Sequence, residues 1–180
     1  MKTYVALFRG INVGGKNLLP MKVLVPVLED LGARRVMTYI QSGNSVFQSP
    51  DRDLSRLSGK ITREIQKRRG FAPQVLVLEF ADIERVIRMN PFPEAEDAPA
   101  SLHIGFLASA PENPDLKALS RLKSENERFR LIGRVFYLHA PAGIGRSKLA
   151  AKAENLLGVP MTDRNWRTVC KLRGMAQELV

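Results

Sequence analysis

VMTYIQSGNSVFQ, Val36 to Gln48, is the stretch that decides the fold. Its two halves, Val36 to Gln41 and Ser45 to Gln48, are rich in β-branched, aromatic and apolar residues. Between them lie Ser42, Gly43 and Asn44, which accept the backbone angles of a tight turn, so the stretch predicts a β-hairpin. Upstream, Met21, Leu24, Val25, Leu28 and Leu31 recur at helical spacing. Pro20 suits the first turn of that helix, Gly32 its C-terminal stop, and Pro26 predicts a kink within it. Further upstream, the apolar run Thr3 to Phe8 reads as a buried strand ending in a glycine-containing loop. Downstream, Leu54, Leu57, Ile61 and Ile65 mark a second helix, capped near Asp51 or Asp53 and closed by Lys67, Arg68 and Arg69. A strand over Phe71 to Leu78 completes the order β-α-β-β-α-β, the split β-α-β pattern of ferredoxin-like folds.

The remainder reads as a second, shorter version of the same plan. After a helix at Asp82 to Met89 comes NPFPEAEDAPA, Asn90 to Ala100, with three prolines, three acids and no basic residue. That composition predicts a linker. Beyond it, Leu102 to Ala108 reads as a strand and Asp115 to Lys123 as a helix. Arg128 to Ile132 and Val135 to Ala140 form a hairpin turning at Gly133, and helices follow at Ser147 to Leu157 and Arg164 to Leu179. A helix thus stands where a fourth strand belongs. The expected organisation is an N-terminal half over 1–89, an acidic linker over 90–100 and a C-terminal half over 101–180. The fold class is α+β, with two ferredoxin-like halves, antiparallel sheets and C-terminal helices.

A chain of 180 residues with 44% hydrophobic side chains can bury a sizeable core. It carries 28 Lys plus Arg against 18 Asp plus Glu, a formal net charge of +10 that favours phosphate-bearing or otherwise acidic partners. The single cysteine excludes an intramolecular disulfide and a multi-thiolate zinc site, and a reducing cytoplasm is the expected location. No apolar run reaches the length of a membrane helix, so no membrane partner is expected.

Three motifs, RGINVGGKN at Arg9 to Asn17, TYIQSGN at Thr38 to Asn44 and TDRNWRTVCKL at Thr162 to Leu172, occur together in order. In this the chain resembles the bacterial family catalogued as domain of unknown function 1697, over essentially its whole length. The resemblance implies an α+β cytoplasmic protein and transfers no catalytic residue.

Gly10 to Lys16 satisfies G-x-x-x-x-G-K after a strand, the pattern of a phosphate-binding P-loop. Asn17 stands where the Mg²⁺-binding hydroxyl belongs, and the helix begins near Pro20 instead of at the lysine, so a nucleotide triphosphatase is not expected. A looser anion site remains, in which backbone N–H groups of Gly14 and Gly15 act with the charges of Arg9 and Lys16. The alternative is that the glycines only let a long loop turn. In the predicted topology the first two strands run parallel, so their loops emerge at one sheet edge. Arg9, Asn12, Lys16 and Asn17 are therefore expected beside Gln41, Ser42 and Asn44, an arrangement of cations and amides able to read bases or sugars.

Arg146 and Lys148, with Gly143 and Gly145, form a second basic loop at a helix start. Arg164 and Asn165 are placed in the first turn of the last helix, capped by Asp163 or Thr162, where a cation opposes the helix dipole. Trp166, Val169, Cys170 and Leu172 are read as one buried stripe with an inert thiol. His103 and His139 lack metal-ligand neighbours in sequence and read as satisfied imidazoles; no metal and no cofactor is expected. The leading expectation is a binding protein for a phosphate-bearing ligand, nucleic acid first. An enzyme acting on a small phosphorylated or carboxylated metabolite and a protein–protein interaction module are the alternatives.

Overall fold

The computed structural model describes residues 1–180, and its contacts divide them into two units. One comprises Met1–Arg85 with Lys171–Val180; the other is Val86–Cys170. In the first unit, β1 (Lys2–Arg9), β2 (Arg34–Thr38), β3 (Asn44–Ser49) and β4 (Gln74–Glu79) form an antiparallel sheet of order β2-β3-β1-β4. β1 lies between two neighbours, which is why Tyr4 to Phe8 form an unbroken buried run.

Helices α1 (Met21–Asp30) and α2 (Leu54–Arg69) supply Leu24, Val27, Leu28, Leu57, Ile61 and Ile65 to a core shared with Tyr4, Ala6, Phe8 and Phe47. Each leucine, isoleucine, valine or phenylalanine among them contributes about 1.5–3 kcal/mol on full burial. Pro20 precedes α1 as its N-cap, and the helix runs on through Pro26. Asp53 caps α2 by accepting from the Arg56 amide at 2.9 Å. The closing residues of the chain also belong to this unit. The Leu179 carbonyl accepts from Gln48 Nε2 at 2.6 Å and Thr3 Oγ1 at 3.5 Å, and the Glu178 carbonyl accepts from Arg35 at 2.9 Å.

After α3 (Phe80–Arg88), the second unit builds β5 (Leu102–Leu107), α4 (Leu116–Leu122), β6 (Arg128–Ile132), β7 (Val135–His139), α5 (Lys148–Leu157) and β8 (Met161–Asn165). Its sheet order, β6-β7-β5-β8, repeats that of the first position by position. Leu119, Phe136, Leu138, Leu149, Ala153 and Leu157 form its core. Asp115 and Ser147 cap α4 and α5 by accepting from Ala118 and Ala150.

A fourth strand is therefore present in the second half, contrary to the expectation of a helix from Arg164. Met161–Asn165 pairs with His103 to Leu107 along β5, and α6 occupies Trp166–Gln177. The strand is polar, so period-two hydrophobicity does not announce it; the backbone of β5 supplies the pairing that local propensity does not. Asn165, not Asp163 or Thr162, caps α6, accepting from the Thr168 amide at 2.9 Å. Cys170 is also misassigned to the buried stripe: Trp166, Val169 and Leu172 are buried, whereas the thiol is exposed.

Candidate functional site

The β1–α1 loop is a miniature hairpin. Val13 pairs with Lys16, whose amide donates to the Val13 carbonyl at 3.1 Å. Gly14 and Gly15 fill the two-residue turn with φ of 58° and 72°, the left-handed pair that a type I′ turn requires. The base of the hairpin is closed twice, by Asn12 N–H to the Asn17 carbonyl at 3.2 Å and by Asn17 Nδ2 to the Gly10 carbonyl at 2.9 Å. Turn geometry thus accounts for both glycines and for Asn17.

Asn12 fastens this hairpin to its surroundings. Its Nδ2 donates to the carbonyls of Leu19 at 2.9 Å and Gln41 at 2.7 Å, and its Oδ1 accepts from the Leu19 amide at 2.8 Å. Gly43 makes a second link, its carbonyl accepting from Phe8 N–H at 2.9 Å. A Cβ on Gly43 would lie 2.7 Å from both Ile11 Cδ1 and Phe8 Cβ, closer than carbon atoms approach, so only glycine lets the β2–β3 loop lie against the end of β1. The two loops expected at one sheet edge are in fact neighbours there.

The roles within that edge differ from a row of ligand-reading amides. Asn44 is the first residue of β3, fully buried, and its Nδ2 donates to the Tyr39 carbonyl at 3.1 Å and to Ser42 Oγ at 3.2 Å. The turn is accordingly Tyr39 to Gly43, longer than predicted, and β2 ends at Thr38 instead of Gln41. Arg9 is the last residue of β1 and donates to Gln74 Oε1 at 3.3 Å. Lys16 and Gln41 present exposed side chains. Three exposed apolar residues that sequence reasoning did not mark share these loops: Val13, Leu18 and Ile40, at 67%, 52% and 51% exposure. A large apolar side chain beside consecutive turn residues was the available signal.

The residues nominated in the second unit are dispersed. Arg146 ends a short 3₁₀ turn, Ile144–Arg146, and Lys148 opens α5; both are exposed. Gly143 borders a cavity of about 550 Å³ also lined by Asp97, Ser101 and Arg167. Arg164 lies on β8 opposite Ile104, its Nη1 donating to the Asp163 carbonyl at 2.7 Å. Burial pulls its guanidinium down to about 10, against the opposing charge of Asp163. His103 is held by Asp163 Oδ2 at 2.8 Å and the Ala100 carbonyl at 3.2 Å. Desolvation lowers its pKa, but the Asp163 hydrogen bond and charge, with the Ala100 carbonyl, leave it raised overall. His139 lies 3.1 Å from Arg128, and burial first, then that charge, lowers its pKa. Both imidazoles are partnered, and no group of three or more His, Cys, Asp or Glu side chains could hold a metal ion. No helix is long and apolar enough to cross a membrane.

No curated protein matches the chain. Among solved structures it is similar to a conserved bacterial protein from Streptococcus pneumoniae, with 26% identity and a TM-score of 0.68 over 97% of this chain and 98% of that one. The model of the family described as protein of unknown function (DUF1697) matches residues 1–137, which include RGINVGGKN and TYIQSGN. That match takes in the entire loop edge built around Asn12 and Gly43, and by it the chain belongs to the DUF1697 family.

Proposed function

We propose that the loop edge of the first unit is a binding site for a phosphate-bearing ligand, nucleic acid first. The observation carrying this reading is the double clasp of Asn12 and Gly43, which fixes two loops against each other while Lys16 and Gln41 face solvent. The clasp seats Ile11 and Leu19 in the core, and the exposed residues it carries form a pre-organised edge that loses less entropy when a ligand arrives. Lys16 and Arg9 supply positive charge, Gln41 a donor and an acceptor, and Val13 and Ile40 apolar surface for base or sugar faces. The net charge of +10 supports the same class of partner.

Fluorescence anisotropy with short labelled RNA and DNA tests this. Binding is expected to weaken steeply with salt, and Lys16→Ala to reduce the dependence of log K on log salt by about 0.7–0.9, the share of one phosphate contact. Absent binding at low salt, or binding indifferent to salt, refutes the reading. A second reading, a small phosphorylated or carboxylated metabolite, is favoured by the cavity beside Gly143, where Arg167 offers an exposed cation. Native mass spectrometry of the purified protein, followed by thermal shift of Arg167→Ala with inorganic phosphate, tests that reading.

A further inference from the structure

Helix α2 buries Leu57, Ile61 and Ile65, and away from that face it carries Arg56, Lys60, Arg63 and Lys67. Their spacing of four, three and four residues places all four within about 60° of arc on a 3.6-residue helix, in a stripe about 16 Å long. Asp51 answers part of this charge, pairing with Lys60 at 2.8 Å and Arg56 at 3.7 Å. Arg63 and Lys67 are exposed.

Like charges at these spacings destabilise a helix and Arg56 in the first turn opposes the dipole, so apart from the Asp51 pairs and Lys67, which suits the negative helix end, the stripe adds little to the helix that bears it. At the C-terminal end of α2, on the other side of the helix from the stripe, Arg69 Nε donates to the Leu18 carbonyl at 3.1 Å, joining that end of the helix to the loop that presents Lys16.

We infer that the basic face of α2 is a track for the phosphate backbone of a nucleic-acid strand whose bases lie at the loop edge. This deepens the function proposed above and rests on it. Its four cations less the charge of Asp51 leave three positive charges, enough to neutralise about three backbone phosphates. Backbone contacts along α2 fix register, and the loop edge touches bases.

The experiment compares wild type, the Arg63→Gln/Lys67→Gln variant and Arg63→Lys for binding a labelled single-stranded RNA across about 50 to 200 mM salt. Loss of two contacts is expected to reduce the slope of log K against log salt by about 1.4, whereas Arg63→Lys keeps the wild-type slope. Circular dichroism should show the double variant folded and melting close to wild type, because both side chains are exposed and the repulsion relieved between them offsets the helix-dipole interaction lost with Lys67. RNA binding with an unchanged slope in the double variant overturns the track and leaves the loop-edge reading standing. No RNA binding by wild type overturns both. Binding to phosphatidylserine vesicles with the same variant dependence, and not to RNA, reassigns the stripe to an anionic lipid surface and also overturns it.

Discussion

Replacing Gly43 with alanine perturbs the contact on which the candidate site depends. The residue has φ of 87°, in the left-handed region that L side chains avoid at a cost of about 1–2 kcal/mol. Its new methyl would meet Ile11 Cδ1 and Phe8 Cβ at 2.7 Å. Both neighbours are buried, so relief requires the β2–β3 loop to lift off β1, and overpacking of this kind costs about 1–3 kcal/mol. The sum, about 2–5 kcal/mol, should lower the melting temperature of the whole 180-residue chain by roughly 4–20 °C. Gly14→Ala is the matched control. Its φ is 58° but no atom lies within 4 Å of the added Cβ, so only the backbone term applies and the shift is expected to be about 2–8 °C. Thermal unfolding followed by circular dichroism compares the two. If Gly43→Ala melts no lower than Gly14→Ala, the close approach is not what makes glycine necessary, and the rigid clasp fails as a premise.

Other expected outcomes follow from the same contacts. Asn12→Ala leaves the Leu19 amide and the Leu19 and Gln41 carbonyls without their partner, so urea unfolding should show a loss of about 1–3 kcal/mol. His103 gains proton affinity on folding, so its contribution is fully present below the free-imidazole pKa of about 6.5 and is lost as pH rises through the higher folded value. Unfolding free energy measured across that window should fall with pH, and His103→Gln should flatten the fall; an unchanged profile counts against the Asp163 pairing. Cys170 should react with a thiol reagent in the native protein, since it is exposed, whereas protection until denaturation would contradict its placement.

Most of the architecture was legible because its cues are local. Gly133 between Ile132 and Val135, and Asp53 and Ser147 before amphipathic runs, each determine their own element. β8 was illegible because its residues, Met161 to Asn165, carry no alternating apolar pattern and take their conformation from pairing with β5. At the site, the neighbourhood of the two loops followed from topology, but the division of labour did not. An asparagine reads equally well as a ligand-facing amide or as a staple, and only the positions of the Leu19 and Gln41 carbonyls make Asn12 a staple. The exposure of Val13, Leu18 and Ile40 likewise depends on where the chain turns, not on what those residues are.

The segment whose carbonyls receive Gln48, Thr3 and Arg35 has a further consequence for how the protein comes to be. Residues 171–180 complete a unit that residues 1–85 begin, with the whole of 86–170 made in between. On the ribosome the continuous unit can close as soon as it emerges, whereas the earlier one waits with the Leu179 contacts unmade. The contacts of Glu178 and Leu179 with Arg35, Gln48 and Thr3 therefore cannot form until 86–170 has been made, although their partners are among the first residues synthesised.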